Sequence, residues 1–131
     1  MITVLLDTNF LLIPGQFRVD IFSEIERVCG FAYELAVLDL TIGELKGIAL
    51  HQKGRDKEAA LLALRLLDAK KVRVIDTKNI SFKNVDQIIL NYAGRGAIAA
   101  TQDRALQSAL RRKGVRLLVL RQKKYLMLSE N

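Results

Sequence analysis

The sequence predicts an α/β fold, a three-layer α/β/α sandwich in which a parallel sheet lies between helices. Apolar segments of strand length alternate with segments of helical periodicity, and Ile2–Leu6 and Ala97–Ala100 are the most apolar of the predicted strands. Strands that alternate with helices in this way indicate βαβ crossover units. At 131 residues, half of them apolar, the chain suits one compact domain over residues 1–131.

The first half of the chain begins with a strand that is aliphatic or β-branched throughout, as in a parallel strand buried on both faces. Further along, apolar residues recur at helical spacing from Phe17 to Val28, and Gly30 ends that helix. The predicted order is a strand at 2–6, a turn at 7–9, a loop at 14–15, a helix at 17–28, a strand at 34–38, a helix from Thr41, an exposed segment at 51–55 and a helix at about 56–69.

The second half continues the alternation. Apolar residues at helical spacing from Phe82 to Tyr92 predict a helix, which Gly94 and Gly96 end. The predicted elements are a strand at 72–75, that helix, a strand at 97–100, a helix at 103–112 with Gly114 as its C-cap, and a strand at 115–120. Residues 125–128 are expected to add a short strand or hairpin arm at an edge of the sheet.

Charge is distributed unevenly along the chain. Residues 1–50 carry three basic and seven acidic residues, for a net charge of −4, whereas residues 51–131 carry 18 basic and seven acidic residues, for +11. This asymmetry suits an acidic pocket beside a basic surface that holds a polyanion, although a solvated lysine-rich surface explains it as well. The lone Cys29 excludes an intramolecular disulfide and a multi-cysteine zinc site, and the first apolar stretch is too short for a membrane span, so we expect a cytoplasmic protein.

Four acidic residues follow predicted strands in a way that directs them to one edge of the sheet. They are Asp7, Glu44, Asp86 and Asp103. Ligands of open parallel sheets bind outside the carboxyl ends of the strands, and carboxylates gathered there repel one another unless a cation joins them. An all-oxygen site of this kind favours Mg²⁺ or Mn²⁺.

Each acid also has a purely structural explanation. Thr41 and Glu44 match a capping box, Asp103 sits at a helix start with Thr101 as a possible N-cap, and Asp7 with Asn9 could form a turn. Asp86 is expected to lean toward the apolar face of its helix, where Arg95 or Lys46 could pair with it. No single structural role explains all four, which favours a shared site.

The motifs around these acids resemble those of the PIN domain family. They are Thr-Val-Leu-Leu-Asp-Thr-Asn-Phe-Leu at 3–11, Glu44 near the start of its helix, Val-Asp-Gln-Ile-Ile-Leu at 85–90 and Ala-Ala-Thr-Gln-Asp-Arg-Ala-Leu at 99–106. The resemblance covers essentially the whole chain. The segment Leu-Arg-Gln-Lys-Lys-Tyr-Leu at 120–126 is further similar to archaeal PIN proteins related to ribosomal-RNA processing nucleases.

The resemblance implies a metal-dependent endoribonuclease with a five-stranded parallel sheet in the order 3-2-1-4-5. It makes Asp7, Glu44, Asp86 and Asp103 metal ligands, directly or through water, with Asn9 and Thr101 as polar residues that support them. One position departs from the pattern, because many relatives carry a second acid beside the residue that matches Asp86, where this chain has Gln87. Occupancy of a second metal site is therefore open.

Basic residues near the end of the chain suggest how RNA would be held. Arg121, Lys123 and Lys124 follow the fifth strand and Arg104 starts the last helix, so they are candidate RNA-binding residues, whereas the other arginines of that helix are interpreted as solvated surface or a broader RNA patch. Phe10 and Tyr125 are the candidates for base stacking, though either could equally belong to the core. His51, the only histidine, is expected at the surface.

Three classes of function remain open at this point. The first is an Mg²⁺- or Mn²⁺-dependent ribonuclease, acting in ribosomal-RNA maturation or as the toxin of a toxin–antitoxin pair, with an antitoxin, an assembly factor or a second copy as partner. The second is a non-catalytic RNA-binding or ribosome-assembly factor. The third is a phosphotransfer domain, either response-receiver or haloacid-dehalogenase-like. The dehalogenase kind expects a second aspartate two positions after its nucleophile, and this chain has Asn9 there.

Overall fold

The computed structural model describes residues 1–81, 84–94 and 96–129, which form one mixed sheet with helices on both faces. The strands are β1 (Ile2–Leu6), β2 (Tyr33–Leu38), β3 (Arg73–Ile75), β4 (Ala97–Ala100), β5 (Leu117–Arg121) and β6 (Tyr125–Ser129). The helices are α1 (Thr8–Leu11), α2 (Ile13–Phe17), α3 (Ile21–Val28), α4 (Asp39–His51), α5 (Arg55–Ala69), α6 (Val85–Ala93) and α7 (Arg104–Arg112). No helix in these residues is both long and apolar enough to cross a bilayer.

The strand order across the sheet is β3-β2-β1-β4-β5-β6. The first five strands are parallel to one another, which confirms the predicted order 3-2-1-4-5. β6 adds a sixth, antiparallel strand beside β5 and confirms the expected hairpin arm at 125–128. Because β1 and β4 are neighbours, the direction in which strands are added reverses between them.

The sheet separates two apolar cores, as a three-layer sandwich requires. Side chains alternate along β1, so Val4 and Leu6 pack in one core while Leu5 packs in the other. The first core is filled mainly from α1 to α5, and the second from α6 and α7. Strand β4 is thus buried on both faces along its whole length, and β1 is buried on both faces over residues 4–6.

The chain between β1 and β2 differs from the prediction. A loop at 14–15 and a continuous helix over 17–28 are wrong, because Pro14 and Gly15 lie inside α2, where proline in the first turn costs no hydrogen bond. The helix then breaks at Arg18, which takes a left-handed conformation with φ of 57°. Asp20 restarts it as the N-cap of α3, accepting hydrogen bonds from the backbone N–H groups of Phe22 and Ser23.

Strand β6 is fastened to helix α3 as well as to β5. Leu126 is buried in the first core, and its backbone N–H donates to Glu24 Oε1 at 2.9 Å. Arg27 Nη2 donates to the Leu126 carbonyl at 2.9 Å and also pairs with Glu24. The hairpin is therefore held at one edge of the sheet, next to the end of β5 that carries Arg121.

Candidate active site

The carboxyl ends of β1 and β4 place Asp7 and Thr101 side by side. Leu6 pairs with Ala100 in the register of the two strands, and the backbone N–H of Asp7 donates to the Ala100 carbonyl at 2.9 Å. The two side chains emerge at the point where the strand order reverses, which is where open α/β sheets bind ligands. The predicted meeting of strands 1 and 4 is confirmed.

Asp7 is a buried carboxylate with two hydrogen-bond donors. Thr101 Oγ1 donates to Asp7 Oδ2 at 2.8 Å, and the backbone N–H of Thr8 donates to Oδ1 at 2.8 Å. The Asp7 residue is only 5% exposed. Burial raises the pKa of the Asp7 carboxyl above its ordinary range, against the two hydrogen bonds, and the charges of Asp86 and Glu44 raise it further.

Asn9 and Thr101 belong to a hydrogen-bond network that ties α1 to the turn after β4. Asn9 Oδ1 accepts from the backbone N–H of Gln102 at 2.9 Å, and Gln102 Nε2 donates to the Asn9 carbonyl at 2.9 Å. Gln107 Nε2 donates to the Thr101 carbonyl at 2.7 Å. The sequence reasoning missed Gln102 and Gln107 because an amide side chain carries no local signal of its long-range partner.

Glu44 does not cap its helix. Helix α4 begins at Asp39, so Thr41 lies inside it and the capping-box interpretation of Thr41 and Glu44 is wrong. Glu44 instead accepts a short hydrogen bond from the hydroxyl of Thr8, one residue after Asp7. Thr8 therefore joins α4 to the end of β1. Its position next to Asp7 in the sequence could have suggested that it contacts the site.

Asp86 lies in the first turn of α6, after the N-cap Asn84. The expectation that it leans on an apolar face is wrong, because the residue is exposed. Among the described residues it makes no hydrogen bond or ion pair, and Lys46 is not its partner; Phe82 and Arg95 lie outside the described residues. Desolvation raises the pKa of the Asp86 carboxyl, and the charges of Asp103 and Glu44 raise it further.

Asp103 has both a structural role and a position at the site. It is the N-cap of α7, with Oδ1 accepting from the backbone N–H of Leu106 at 3.0 Å. Thr101 is therefore not the N-cap; its Oγ1 accepts from the backbone N–H of Asp103 at 3.1 Å while its proton is donated to Asp7. One threonine hydroxyl thus connects two of the four acids.

The four predicted acids share one electrostatic environment. The charge of Asp86 acts on Asp7, that of Glu44 acts on both Asp7 and Asp86, and that of Asp103 acts on Asp86. Carboxylate and amide oxygens are ligands that suit Mg²⁺ or Mn²⁺, and a cation relieves such repulsion. Within the described ranges, no three His, Cys, Asp or Glu side chains are yet arranged around a point that could hold a metal ion. Glu44 and Asp103 are turned toward Thr8 and the α7 amides instead.

The predicted RNA-binding residues lie along the same end of the sheet. Arg104 and Arg121 line one groove together with Gln102. Lys123 has its ammonium 5.8 Å from the centre of the Phe17 ring, and Lys124 is exposed in the β5–β6 turn. Of the stacking candidates, Phe10 is fully buried in the core and Tyr125 is exposed; His51, at the end of α4, is exposed as predicted.

A larger cavity of about 520 Å³ lies away from these acids. It is lined mainly by apolar side chains of α4, α5 and the β2–β3 edge, such as Ile42, Leu64 and Val74. Its lining lacks the four candidate acids, so cavity size does not indicate the site here.

Comparison with known proteins identifies the family of the chain. A family model described as a PIN-like domain matches residues 4–123, which include all four acids. The chain belongs to the PIN-like domain family. Ribonuclease VapC4 of Methanocaldococcus jannaschii is 31% identical to this PIN-like domain over 128 residues, covering 95% of each chain.

Solved structures show the same fold. The PIN domain endonuclease Utp24 superposes with a TM-score of 0.78 at 19% identity, covering 98% of this chain and 92% of the other. A domain of a protein of unknown function from Methanocaldococcus jannaschii superposes with a TM-score of 0.61 at 18% identity, covering 92% of each. At these identities the PIN-like fold is shared, and the resemblance inferred from the sequence motifs is confirmed.

Proposed function

We propose that this PIN-like domain is an Mg²⁺- or Mn²⁺-dependent endoribonuclease whose metal ligands are Asp7, Glu44, Asp86 and Asp103. The observation that carries the proposal is the position of Asp7 and Asp103 after the neighbouring strands β1 and β4, where the strand order reverses and the Thr101 hydroxyl bonds to both residues. Burial, with a smaller contribution from the acidic neighbours, raises the pKa of the Asp7 carboxyl, and a divalent cation would stabilise its ionised form. The ribonuclease name of the VapC4 relative supports RNA as the substrate.

Different residues of the chain would have different roles in hydrolysis. When bound, a divalent cation lowers the pKa of a water nucleophile and neutralises charge on the phosphate. Thr101 holds the Asp7 carboxylate in one orientation, and Asn9 fixes the turn that carries Asp103. The Glu44 side chain is exposed and is bonded to Thr8 at the end of β1, so Glu44 would contribute its carboxylate from α4. Arg104, Arg121, Lys123 and Lys124 would attract the RNA backbone.

The biological setting is proposed on the same grounds. The VapC name of the relative supports a toxin neutralised by an antitoxin. The similarity of residues 120–126 to archaeal PIN proteins of the ribosomal-RNA processing branch supports a nuclease of ribosomal-RNA maturation with an assembly factor as partner. A homodimer is compatible with either role. The buried free thiol of Cys29 suits the reducing cytoplasm, where we place the protein.

Cleavage of a single-stranded or looped RNA in Mg²⁺ or Mn²⁺ tests the proposal. We expect Asp7→Asn and Asp103→Asn each to lower the rate by about a hundredfold or more, since each removes a carboxylate that would hold the divalent cation. Asp56→Asn, on the exposed start of α5, is the matched control and should cleave like the wild type. Full activity in either site variant would reject the assignment. A crystal soaked in Mn²⁺ and analysed by anomalous scattering would count the ions.

The runner-up is a non-catalytic RNA-binding or assembly factor that keeps the fold without metal. Two observations favour it: Gln87 stands beside Asp86 where an acid is expected, and within the described ranges no three acids already surround one point. Titration of wild type and Asp7→Asn with Mn²⁺ by calorimetry separates the two functions. Heat that depends on Asp7 supports the nuclease, and its absence supports the scaffold.

A further inference from the structure

A polar groove runs between α7 and the end of β5, beside the candidate active site. It consists of two adjoining cavities of about 170 and 290 Å³ that share Arg104, Gln107 and Arg121 in their walls. Gln102 and Leu120 complete the first cavity, and Ser108 and Arg111 complete the second. Because three residues line both cavities, we treat them as one continuous groove, called the α7–β5 groove.

The lining of the α7–β5 groove is suited to anions. It presents three guanidinium groups, two side-chain amides and one hydroxyl, and Leu120 is its one apolar residue. Guanidinium groups match phosphate oxygens in pairs, and amides and hydroxyls add further hydrogen bonds. The lining contains neither an acid, which would repel a phosphate, nor an aromatic ring on which a base could stack.

The groove is long enough for more than one phosphate. Arg104 and Arg111 are seven residues apart on α7, which places them about two turns, or about 10 Å, apart along one side of the helix. Arg121 approaches the same space from the sheet and lines both cavities. A run of positive charge therefore extends along the groove rather than gathering at one point.

One end of the groove is fixed to the candidate active site. Gln102 lines the first cavity and is bonded through its backbone N–H and its side chain to Asn9. Asp103 lies between Gln102 and Arg104 in the chain. The groove therefore begins at the two residues that flank Asp103, next to the position where the scissile phosphate would lie.

We propose that the α7–β5 groove binds consecutive phosphates of the RNA strand on one side of the scissile bond, with Arg104, Gln107, Arg111 and Arg121 as its contacts. The identification of the ligand as RNA rests on the proposed function. The groove recognises the backbone and not the bases, so its contribution to affinity is the same for different sequences. This assigns to Arg111 and Gln107 a role in RNA binding, which the sequence alone left open for the arginines of this helix.

RNA binding in EDTA tests the groove without cleavage. Fluorescence anisotropy with labelled twelve-residue oligo(U) and oligo(A) is measured for wild type, Arg104→Gln, Arg111→Gln and Arg65→Gln. Arg65→Gln removes the same charge from an exposed position of α5, on the other face of the sheet. We expect each groove variant to lose about tenfold in affinity for both oligonucleotides, as for a hydrogen bond to a charged group. The slope of log K against log salt should fall by about 0.7 for each lost phosphate contact.

The outcomes separate this inference from the nuclease proposal. Affinity of Arg104→Gln and Arg111→Gln equal to that of Arg65→Gln overturns the groove, even if the wild type cleaves RNA. Loss in only one of the two oligonucleotides also overturns it, because the groove would then read bases. Selective loss in both groove variants supports it even if no cleavage occurs with metal. Thermal unfolding of each variant checks folding, and the exposed Arg104 provides a variant that leaves the α7 packing intact.

Discussion

Asp7 carries its charge at a position where the fold disfavours charge. The carboxyl is buried, and its two donors, Thr101 and the Thr8 amide, offset burial only in part, since its pKa stays above the ordinary value. In the unfolded chain the same group titrates normally. The contribution of Asp7 to the free energy of unfolding therefore falls as pH rises from the pKa of the unfolded chain toward the higher pKa of the folded protein. Asp7 is retained at a cost to the metal-free fold.

Asp7→Asn should consequently leave the free energy of unfolding unchanged or raise it at pH 7 in EDTA. The asparagine fits the existing partners, since its oxygen can accept from the Thr8 amide while its NH₂ group donates to Thr101 Oγ1. The Thr101 proton can then turn to Asn9 Oδ1, which lies 3.4 Å away. Urea denaturation measures the effect. A loss of more than about 1 kcal/mol, the size of one ordinary hydrogen bond, would contradict this account.

The prediction that strands 1 and 4 meet was correct, but the sequence did not indicate how each acid near their ends is held. Asp7 and Asp103 follow apolar strands, so the order of strands alone brought them together. The partner of Glu44 was missed because Thr8 lies 36 positions away, whereas the capping box that it mimics is a local pattern. Local spacing can suggest a helix cap, but it does not indicate a hydrogen bond to a side chain from another element.

At the scale of single elements, the N-cap of α3 stabilises the helix in a pH-dependent way. Asp20 Oδ1 accepts from two backbone N–H groups and Oδ2 accepts from the Ser23 hydroxyl at 2.7 Å. The Ser23 hydroxyl is the largest cause that lowers the pKa of the Asp20 carboxyl below 3.8. Capping by the ionised form is therefore complete above that ordinary pKa and is lost as pH falls through the folded one.

Asp20→Ala should destabilise the protein by about 1 kcal/mol at pH 7, the typical value of an N-cap. The difference from wild type should shrink as pH falls below 3.8, because the wild-type cap is then protonated. Chemical denaturation across this pH range measures it. Asp20→Asn is the control, since its amide oxygen still caps the helix and should retain most of the stability at pH 7. An Ala variant as stable as wild type at pH 7 would exclude a capping role.

The short helix α2 is placed by its close contact with α5. A Cβ built on Gly15 would lie 2.5 Å from Ala59 Cα, so the two backbones approach as closely as glycine allows. We expect Gly15→Ala to cost about 1–3 kcal/mol, as overpacking does, because a backbone must move. Gly47→Ala on α4 is the matched control. A Cβ there meets nothing within 4 Å, and the change should stabilise the protein by about 0.5–1 kcal/mol. Thermal unfolding of the two variants compares them directly.

Element boundaries show where sequence patterns lose information. The apolar spacing from Phe17 to Val28 looks continuous, and it concealed the break at Arg18, whose left-handed conformation has no strong sequence signal for arginine. The strands were predicted correctly because apolar segments alternate with helices, and their order was predicted correctly from the resemblance to PIN domains. The start of α4 at Asp39 was missed because Asp39 is held by Thr77, whose hydroxyl donates to it from across the fold.

At the scale of the whole molecule, the acidic first part of the chain contributes Asp7 and Glu44, and the basic remainder contributes the arginines and lysines beside them. The sequence asymmetry of −4 and +11 thus becomes a spatial arrangement, with acids at the strand ends and cations on α7, β5 and the following turn. Such an arrangement attracts a polyanion over distances of about a Debye length, roughly 10 Å at 0.1 M salt.

Lys123→Ala combined with Lys124→Ala should weaken RNA binding and flatten its salt dependence, by about 1.4 in slope if each lysine neutralises one phosphate of a single strand. Filter binding between 50 and 200 mM salt measures the slope. Lys53→Ala combined with Lys57→Ala, at the exposed junction of α4 and α5, removes the same charge elsewhere. An unchanged slope in the Lys123 and Lys124 variant would remove the β5–β6 turn from the path of the RNA.

The contacts between β6 and α3 affect how readily the protein aggregates through the edge of its sheet. Backbone groups on an unpaired margin of a sheet recruit strands from other molecules, and five-residue β5, with Leu117, Leu118 and Val119 buried, would be an efficient template. β6 pairs with β5 and becomes the margin of the sheet, where the backbone N–H and carbonyl of Leu126 are bonded to Glu24 and Arg27 instead of being open to another strand. The opposite edge of the sheet is the three-residue strand β3, which is too short to pair stably with a strand of another molecule. In this way the contacts of α3, remote from any chemistry, protect the molecule against fibre-like assembly.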